Sequence, residues 1–271
     1  MSENRLKACF SALAAKKRAA LVGYLVIGEP NVEETIECAR AMLDAGADIL
    51  ELGVPFSDPT ADGPVIAAAH FRAIHQGGSL RAGLEVARRL REHSQAPLVL
   101  FSYMNPVIAF GEERLPSAAR EAGIDGLLLV DLPPEEGAEL RANAAREGVS
   151  LVQLVAPTTG REREARVLAG ASGFVYYVSV TGVTGSREAP LVQAGRDAAA
   201  LRERSGLPVV VGFGIRTPEQ AREVADAGVS GVVVGTEIVR VIAEGKDRAT
   251  RTQALTELIG NLRRGLDDGA A

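Results

Sequence analysis

Histidine and cysteine are scarce in this 271-residue chain, which has three of the first and two of the second. Cys9 and Cys38 cannot make a disulfide framework, and they do not fall at a metal-ligand spacing. His70 and His75 could share a helix face, but no clear third ligand accompanies them. They are expected to be exposed helix histidines, and with His93 as the only other histidine no metal is expected. An excess of positive charge is also lacking. Lys and Arg total 30 against 35 Asp and Glu, a net charge of −5. That argues against a basic stripe for nucleic acid. It still allows a phosphate ligand, because backbone N–H groups can hold one locally. No apolar run approaches the ~20 residues of a membrane span. The stretch from Met1 to Phe10 is charged and polar, without the apolar core of a signal peptide. A cytoplasmic enzyme is the expectation. No Pro/Ser-rich linker or low-complexity stretch divides the chain, so residues 1–271 are expected to form one domain.

Apolar residues make up 46% of the chain, enough for a sizeable core. Short β-branched runs alternate with longer helical patterns. The strand-like runs cover 20–27, 48–54, 97–103, 126–131, 150–155, 173–179, 207–213 and 231–235. Most are near-continuously apolar, as in parallel strands buried on both faces. Helical patterns cover 32–45, 80–93, 112–122, 134–146, 161–168, 191–205 and 218–227. Such alternation implies a parallel sheet. Eight units without a linker favour a single (β/α)8 TIM barrel of the α/β class over an open sheet.

Active sites of such barrels lie at the C-terminal ends of the strands. Polar residues ending apolar strands are Glu51, Asp131, Tyr176 and Ser179. Glu51 points opposite to Leu50 and Leu52 on a period-two pattern. A carboxylate inside a buried strand is costly unless it is paired or functional. A raised pKa would suit a group that gives and takes a proton, while a salt-bridged structural carboxylate is the other reading. Residues 55–64 follow, with two aspartates and three prolines. Asp58 before Pro59 reads as a turn former. Asp62 could cap a helix starting near Pro64, or reach across the barrel mouth towards Glu51. Late in the chain, glycines follow three strands: Gly182 and Gly185, Gly212 and Gly214, then Gly235 with Thr236 opening a short helix. Such turns and a short helix N-terminus make a recurrent phosphate site in barrels.

These residues also carry a resemblance. The run Leu50-Glu51-Leu52-Gly53-Val54-Pro55-Phe56-Ser57-Asp58-Pro59, then Ala61-Asp62-Gly63-Pro64, resembles the signature of the tryptophan synthase alpha chain family. Further matches extend along nearly the whole chain. They include Tyr103 with Asn105-Pro106, the run Asp131-Leu132-Pro133-Pro134-Glu135-Glu136, and Ala156-Pro157-Thr158-Thr159. Gly182-Val183-Thr184-Gly185 and Gly212-Phe213-Gly214-Ile215 match as well.

The resemblance implies cofactor-free retro-aldol cleavage of indole-3-glycerol phosphate to indole and glyceraldehyde 3-phosphate. It implies Glu51 as the acid–base group and Asp62 as the support for positive charge on the indole nitrogen. It implies phosphate contacts at Gly185, Gly214, Gly235 and Thr236. Tyr24, Tyr103, Leu128, Tyr176 and Phe213 would line the indole pocket. It further implies docking on a pyridoxal-phosphate beta chain in an alpha2beta2 assembly, with Pro55, Asp58, Asn105 and Pro133 near the interface. Departures from the family's usual pattern fall at Val26, Ile27, Thr60, Ala67 and Glu237. They suit a paralogue, and a stand-alone lyase releasing free indole for another pathway is the alternative. A non-catalytic barrel that only activates a beta chain would need neither Glu51 nor Asp62.

Overall fold

A computed structural model of the protein describes residues 4–178, 191–212 and 214–268. Eight parallel strands pair in chain order, and the last closes on the first. They are β1 (Ala20–Val26), β2 (Ile49–Gly53), β3 (Leu98–Ser102), β4 (Gly126–Leu129), β5 (Ser150–Val155), β6 (Val175–Val178), β7 (Val209–Gly212) and β8 (Gly231–Val234). The result is a (β/α)8 TIM barrel. Each strand falls inside its predicted run, trimmed where the flanking residues turn.

Strand pleating sorts side chains into two cores. Val22, Tyr24, Val99, Phe101, Leu128, Val152, Tyr176, Val210 and Val233 fill the inside of the barrel. Leu21, Leu25, Leu50, Leu52, Leu100, Leu127, Leu151, Val175, Val211 and Val232 face outward, into the ring of helices. A strand buried on both faces must be apolar at nearly every position, which is why the runs read as continuous.

The helices among the described residues are α1 (Arg5–Ala15), α2 (Val32–Asp44), α3 (Pro64–His75), α4 (Leu80–Arg91), α5 (Met104–Phe110), α6 (Leu115–Ala122), α7 (Ala138–Glu147), α8 (Arg161–Leu168), α9 (Leu191–Ser205), α10 (Pro218–Ala225), α11 (Thr236–Glu244) and α12 (Arg248–Asp267). The sequence patterns do not announce α1, α5 or α12. α1 lies under the barrel: the side chain of Asn4 caps it by accepting from Leu6 N–H, and also donates to the carbonyls of Asp125 and Gly148. Leu6, Phe10 and Leu13 are buried, with Phe10 against Phe174 at 5.7 Å between ring centroids. α12 repeats its buried residues at Leu255, Ile259, Leu262 and Leu266, a helical spacing, and packs on α2 and α10. Its Arg263 is buried and reaches Asp48 at 3.0 Å, which fixes the helix to the turn before β2. None of the helices among the described residues is long and apolar enough to cross a membrane.

Candidate active site

A cavity at the C-terminal ends of the strands is lined by residues from five strands and three of the segments that follow strands. β1 supplies Tyr24, β2 Glu51, β3 Phe101, β6 Tyr176 and β8 Val233. The segment after β2 adds Asp62 and Ile66, the segment after β7 adds Gly214, Ile215 and Arg216, and the start of α11 adds Gly235 and Thr236.

Glu51 is 1% exposed, and among the described residues neither of its carboxylate oxygens has a hydrogen-bond partner. It pairs in register with Tyr24 on one side and Val99 on the other. Loss of water is the whole cause of its raised pKa, pushed up from 4.5 to about 8. It is therefore no salt-bridged structural carboxylate.

Asp62 does not cap α3, whose N-cap is Gly63 without a side-chain bond. It turns instead to Tyr103, whose hydroxyl donates to Oδ2 over 2.7 Å. The same hydroxyl accepts from Ala61 N–H at 3.0 Å, which fixes the loop. Burial raises the Asp62 pKa to about 6, and the Tyr103 bond opposes the rise.

Two strand-end glycines make room for two tyrosines. A Cβ on Gly53 would collide with the ring and hydroxyl of Tyr24, and one on Gly212 with those of Tyr176. Gly214 has φ +89°, a left-handed conformation that side chains disfavour. Gly235 is the N-cap of α11, and a Cβ there would meet Tyr24 and Ile66 only at ordinary contact distances. The opening there comes from the absent side chain, not from backbone strain. Glu237 accepts from Arg240 Nε at 3.1 Å and is drawn along α11, away from the lining of the cavity.

The structure thus brings together Tyr24, Glu51, Asp62, Tyr176, Gly214, Gly235 and Thr236. Tyr103 and Leu128 stand one step behind. Tyr103 is 1% exposed and acts on Asp62, while Leu128 is fully buried among the inner residues beside Phe101. Gly185 and Phe213 lie outside the described residues. Sequence reasoning missed Phe101, whose signal was the inward alternation of β3 after Val99. It also missed Arg216, one residue beyond the glycine turn after β7. Asp131 caps a helix instead of entering the site: its Oδ1 accepts from Met104 N–H at 2.8 Å, at the start of α5. His70 corrects a second expectation. It is fully buried, not exposed, whereas His75 and His93 are exposed. Among the described residues, no three His, Cys, Asp or Glu could hold a metal.

The family model described as "Tryptophan synthase alpha chain" matches residues 10–267. The tryptophan synthase alpha chain of Geobacter sulfurreducens is 46% identical over 264 residues, which cover 95% of this chain and 100% of that one. The chain belongs to the tryptophan synthase alpha chain family. It is accordingly a carbon–carbon lyase of tryptophan biosynthesis, of the subunit type that cleaves indole-3-glycerol phosphate. The crystal structure of tryptophan synthase subunit alpha from Legionella pneumophila is similar with a TM-score of 0.88 at 33% identity, covering 98% of this chain and 100% of that one. A chain of tryptophan synthase from M. tuberculosis, in an aminoacrylate-bound form, gives 0.86 at 32% identity, covering 97% and 99%. In this member of the family, the positions expected near a partner are Pro55, Asp58, Asn105 and Pro133. Asp58 and Asn105 are exposed and Pro133 is partly so, while Pro55 is buried. Ile108, one turn beyond Asn105 on α5, is 56% exposed.

Proposed function

We propose that the cleavage is a cofactor-free retro-aldol reaction in which Glu51 moves the protons and Asp62 supports the charge. The observation that carries this reading is the contrast between two buried carboxyl groups on one cavity. Glu51 has no hydrogen-bond partner among the described residues and its pKa is pushed up to about 8, while Asp62 accepts from a hydroxyl and its pKa is raised to about 6. Near neutral pH the first keeps its proton and the second does not, so their environments assign an acid and an anion. Glu51 gives its proton to the indole ring carbon that bears the glyceryl chain. The ring then carries positive charge at nitrogen, and the Asp62 carboxylate stabilises it. The Glu51 carboxylate takes the proton of the glyceryl hydroxyl next to the ring. As a carbonyl forms there, the carbon–carbon bond breaks and its electron pair returns to the ring. Indole and glyceraldehyde 3-phosphate result, with Glu51 protonated again.

Tyr24, Phe101 and Tyr176 would enclose the indole, backed by Leu128. The phosphate would sit at the N-terminus of α11, on Gly235 and Thr236, with Gly214 beside it. The helix dipole and free N–H groups favour an anion there. Arg216 adds a cation to this wall. Gly185 remains part of the proposal on family resemblance alone. A pyridoxal-phosphate-dependent beta chain would dock over the mouth, where Asp58, Asn105 and Ile108 are exposed, in an alpha2beta2 assembly. The chain would act in the cytoplasm with residues 1–271 as one domain. One assay tests the reading: indole release from indole-3-glycerol phosphate by the purified chain, alone and with a beta chain. Release only with the beta chain supports the assembly, and equal release without it supports a stand-alone lyase. No release in either case overturns the proposed chemistry.

A further inference from the structure

Glu51 and Asp62 leave unexplained a fully buried histidine at their back. His70 lies on α3 with no exposed surface. Its Nδ1 is 3.0 Å from the backbone nitrogen of Phe56, which has only a proton to offer. A ring nitrogen that accepts carries no proton, so the proton of His70 is on Nε2. Nε2 stands 3.0 Å from Tyr24 Oη and 3.7 Å from Asp62 Oδ2. Tyr24 Oη therefore accepts from His70, and its own proton is left to be donated elsewhere. The ring of Tyr24 is closely held, because Phe101 packs edge-on at 5.2 Å and Gly53 supplies the space for the hydroxyl. The groups that share the cavity with Tyr24 and can accept that proton include the Asp62 carboxylate, the Glu51 carboxyl group, the hydroxyls of Tyr176 and Thr236, and whatever substrate enters.

We propose that His70 is a positioning residue that ties the loop backbone at Phe56 to Tyr24 and turns the Tyr24 hydroxyl proton into the pocket, towards the Asp62 carboxylate and the substrate. Burial keeps the imidazole neutral by lowering its pKa to about 4, which agrees with a bare Nδ1. The bonds run one way: Phe56 N–H to His70, His70 N–H to Tyr24, Tyr24 O–H into the cavity. A protonated His70 would break the first of them, since both ring nitrogens would then be donors. The loop that presents Asp62 begins at this anchor, so His70 acts on Asp62 through the backbone and through Tyr24.

This inference rests on the lyase reading above, and one set of measurements separates the two. A glutamine amide reaches the place of Nε2 and can donate to Tyr24, whereas an asparagine amide reaches only the place of Nδ1 and serves Phe56. In steady-state cleavage with a beta chain present, His70→Asn should lower kcat by ~10- to 100-fold while KM moves much less, as for other small misplacements of a reacting group. His70→Gln should recover most of that loss. In a Tyr24→Phe background, His70→Asn should cost little more, because the hydroxyl it would orient is gone. Nitrogen-15 NMR of the wild-type chain should show the Nε2–H tautomer at neutral pH. An active wild type with equal losses in the Asn and Gln variants, additive losses in the double variant, or an Nδ1–H tautomer would overturn the proposal for His70. A wild type that releases no indole would instead overturn the lyase reading, and the role of His70 with it.

Discussion

Tyr103 donates its hydroxyl proton to Asp62 from outside the cavity that Asp62 lines, over 2.7 Å. The bond favours the ionised carboxylate, against a desolvation that favours the neutral acid. Asp62 can support a cation only when ionised, so cleavage should fall as pH drops through about 6. Tyr103→Phe removes the opposing bond, so the Asp62 pKa should rise further. The acid limb of the kcat profile should then move to higher pH. An unmoved limb would show that another group sets it.

Glu51→Gln should nearly abolish cleavage, because an amide keeps the shape but cannot shuttle a proton. Loss of a general acid–base group typically costs roughly 100- to 10,000-fold. A variant with more than half the wild-type kcat would remove Glu51 from the role.

The same substitution should reveal the burial of the carboxyl through stability. The folded pKa, about 8, lies above the ordinary 4.5. A proton is therefore held more tightly in the folded state. The associated stability is present in full below the lower value and is lost as pH rises through the higher one. Glutamine never ionises. Thermal melts should show Glu51→Gln gaining on wild type from pH 5 to pH 8.5, at ~2–4 °C for each kcal/mol. A difference in Tm that stays flat with pH would mean that Glu51 titrates like an exposed carboxylate.

Asp62→Asn should lower kcat strongly and weaken binding less, since the charge it meets develops only in the transition state. Single-turnover kinetics beside the dissociation constant of a substrate analogue distinguish the cases. Parallel losses in both would make Asp62 a binding residue.

Gly235→Leu should block phosphate binding by filling the anion's place at the start of α11. Arg216→Ala should weaken binding several-fold and flatten its salt dependence, because one charge contact is lost. Calorimetric titration with a glycerol-phosphate analogue checks both. Unchanged affinity in a correctly folded Gly235→Leu protein would refute the site.

The barrel is legible in the sequence because its strands must be apolar on both faces, and few other arrangements demand eight such runs. Glu51 is legible for the same reason, as a charge where the pattern forbids one. Asp62 is only half legible, since a loop aspartate before Gly-Pro caps a helix as readily as it faces a cavity. What separates the two is Tyr103, 41 residues away in sequence. His70 is not legible at all. Its surroundings on α3, with Phe71 and Arg72 exposed, read as a surface helix. Only the packing of α3 against the barrel shows that its face turns inward. Arg216 escapes because a sequence reading of the glycine turns stops where the glycines do.

α1 has a consequence for traffic. Leu6 and Phe10 pack into the lower end of the barrel, beside Gly126 at the start of β4 and Phe174 just before β6. Among the described residues these side chains belong to the inner core, and the cavity that holds Glu51 and Asp62 lies at the opposite end of the strands. The proposed beta chain, seated over that end, would meet both products: it could receive indole directly, and it would also have to let the aldehyde out. Release of the phosphorylated product, and not passage of indole, would then be the step that ties the turnover of this chain to the opening and closing of its neighbour.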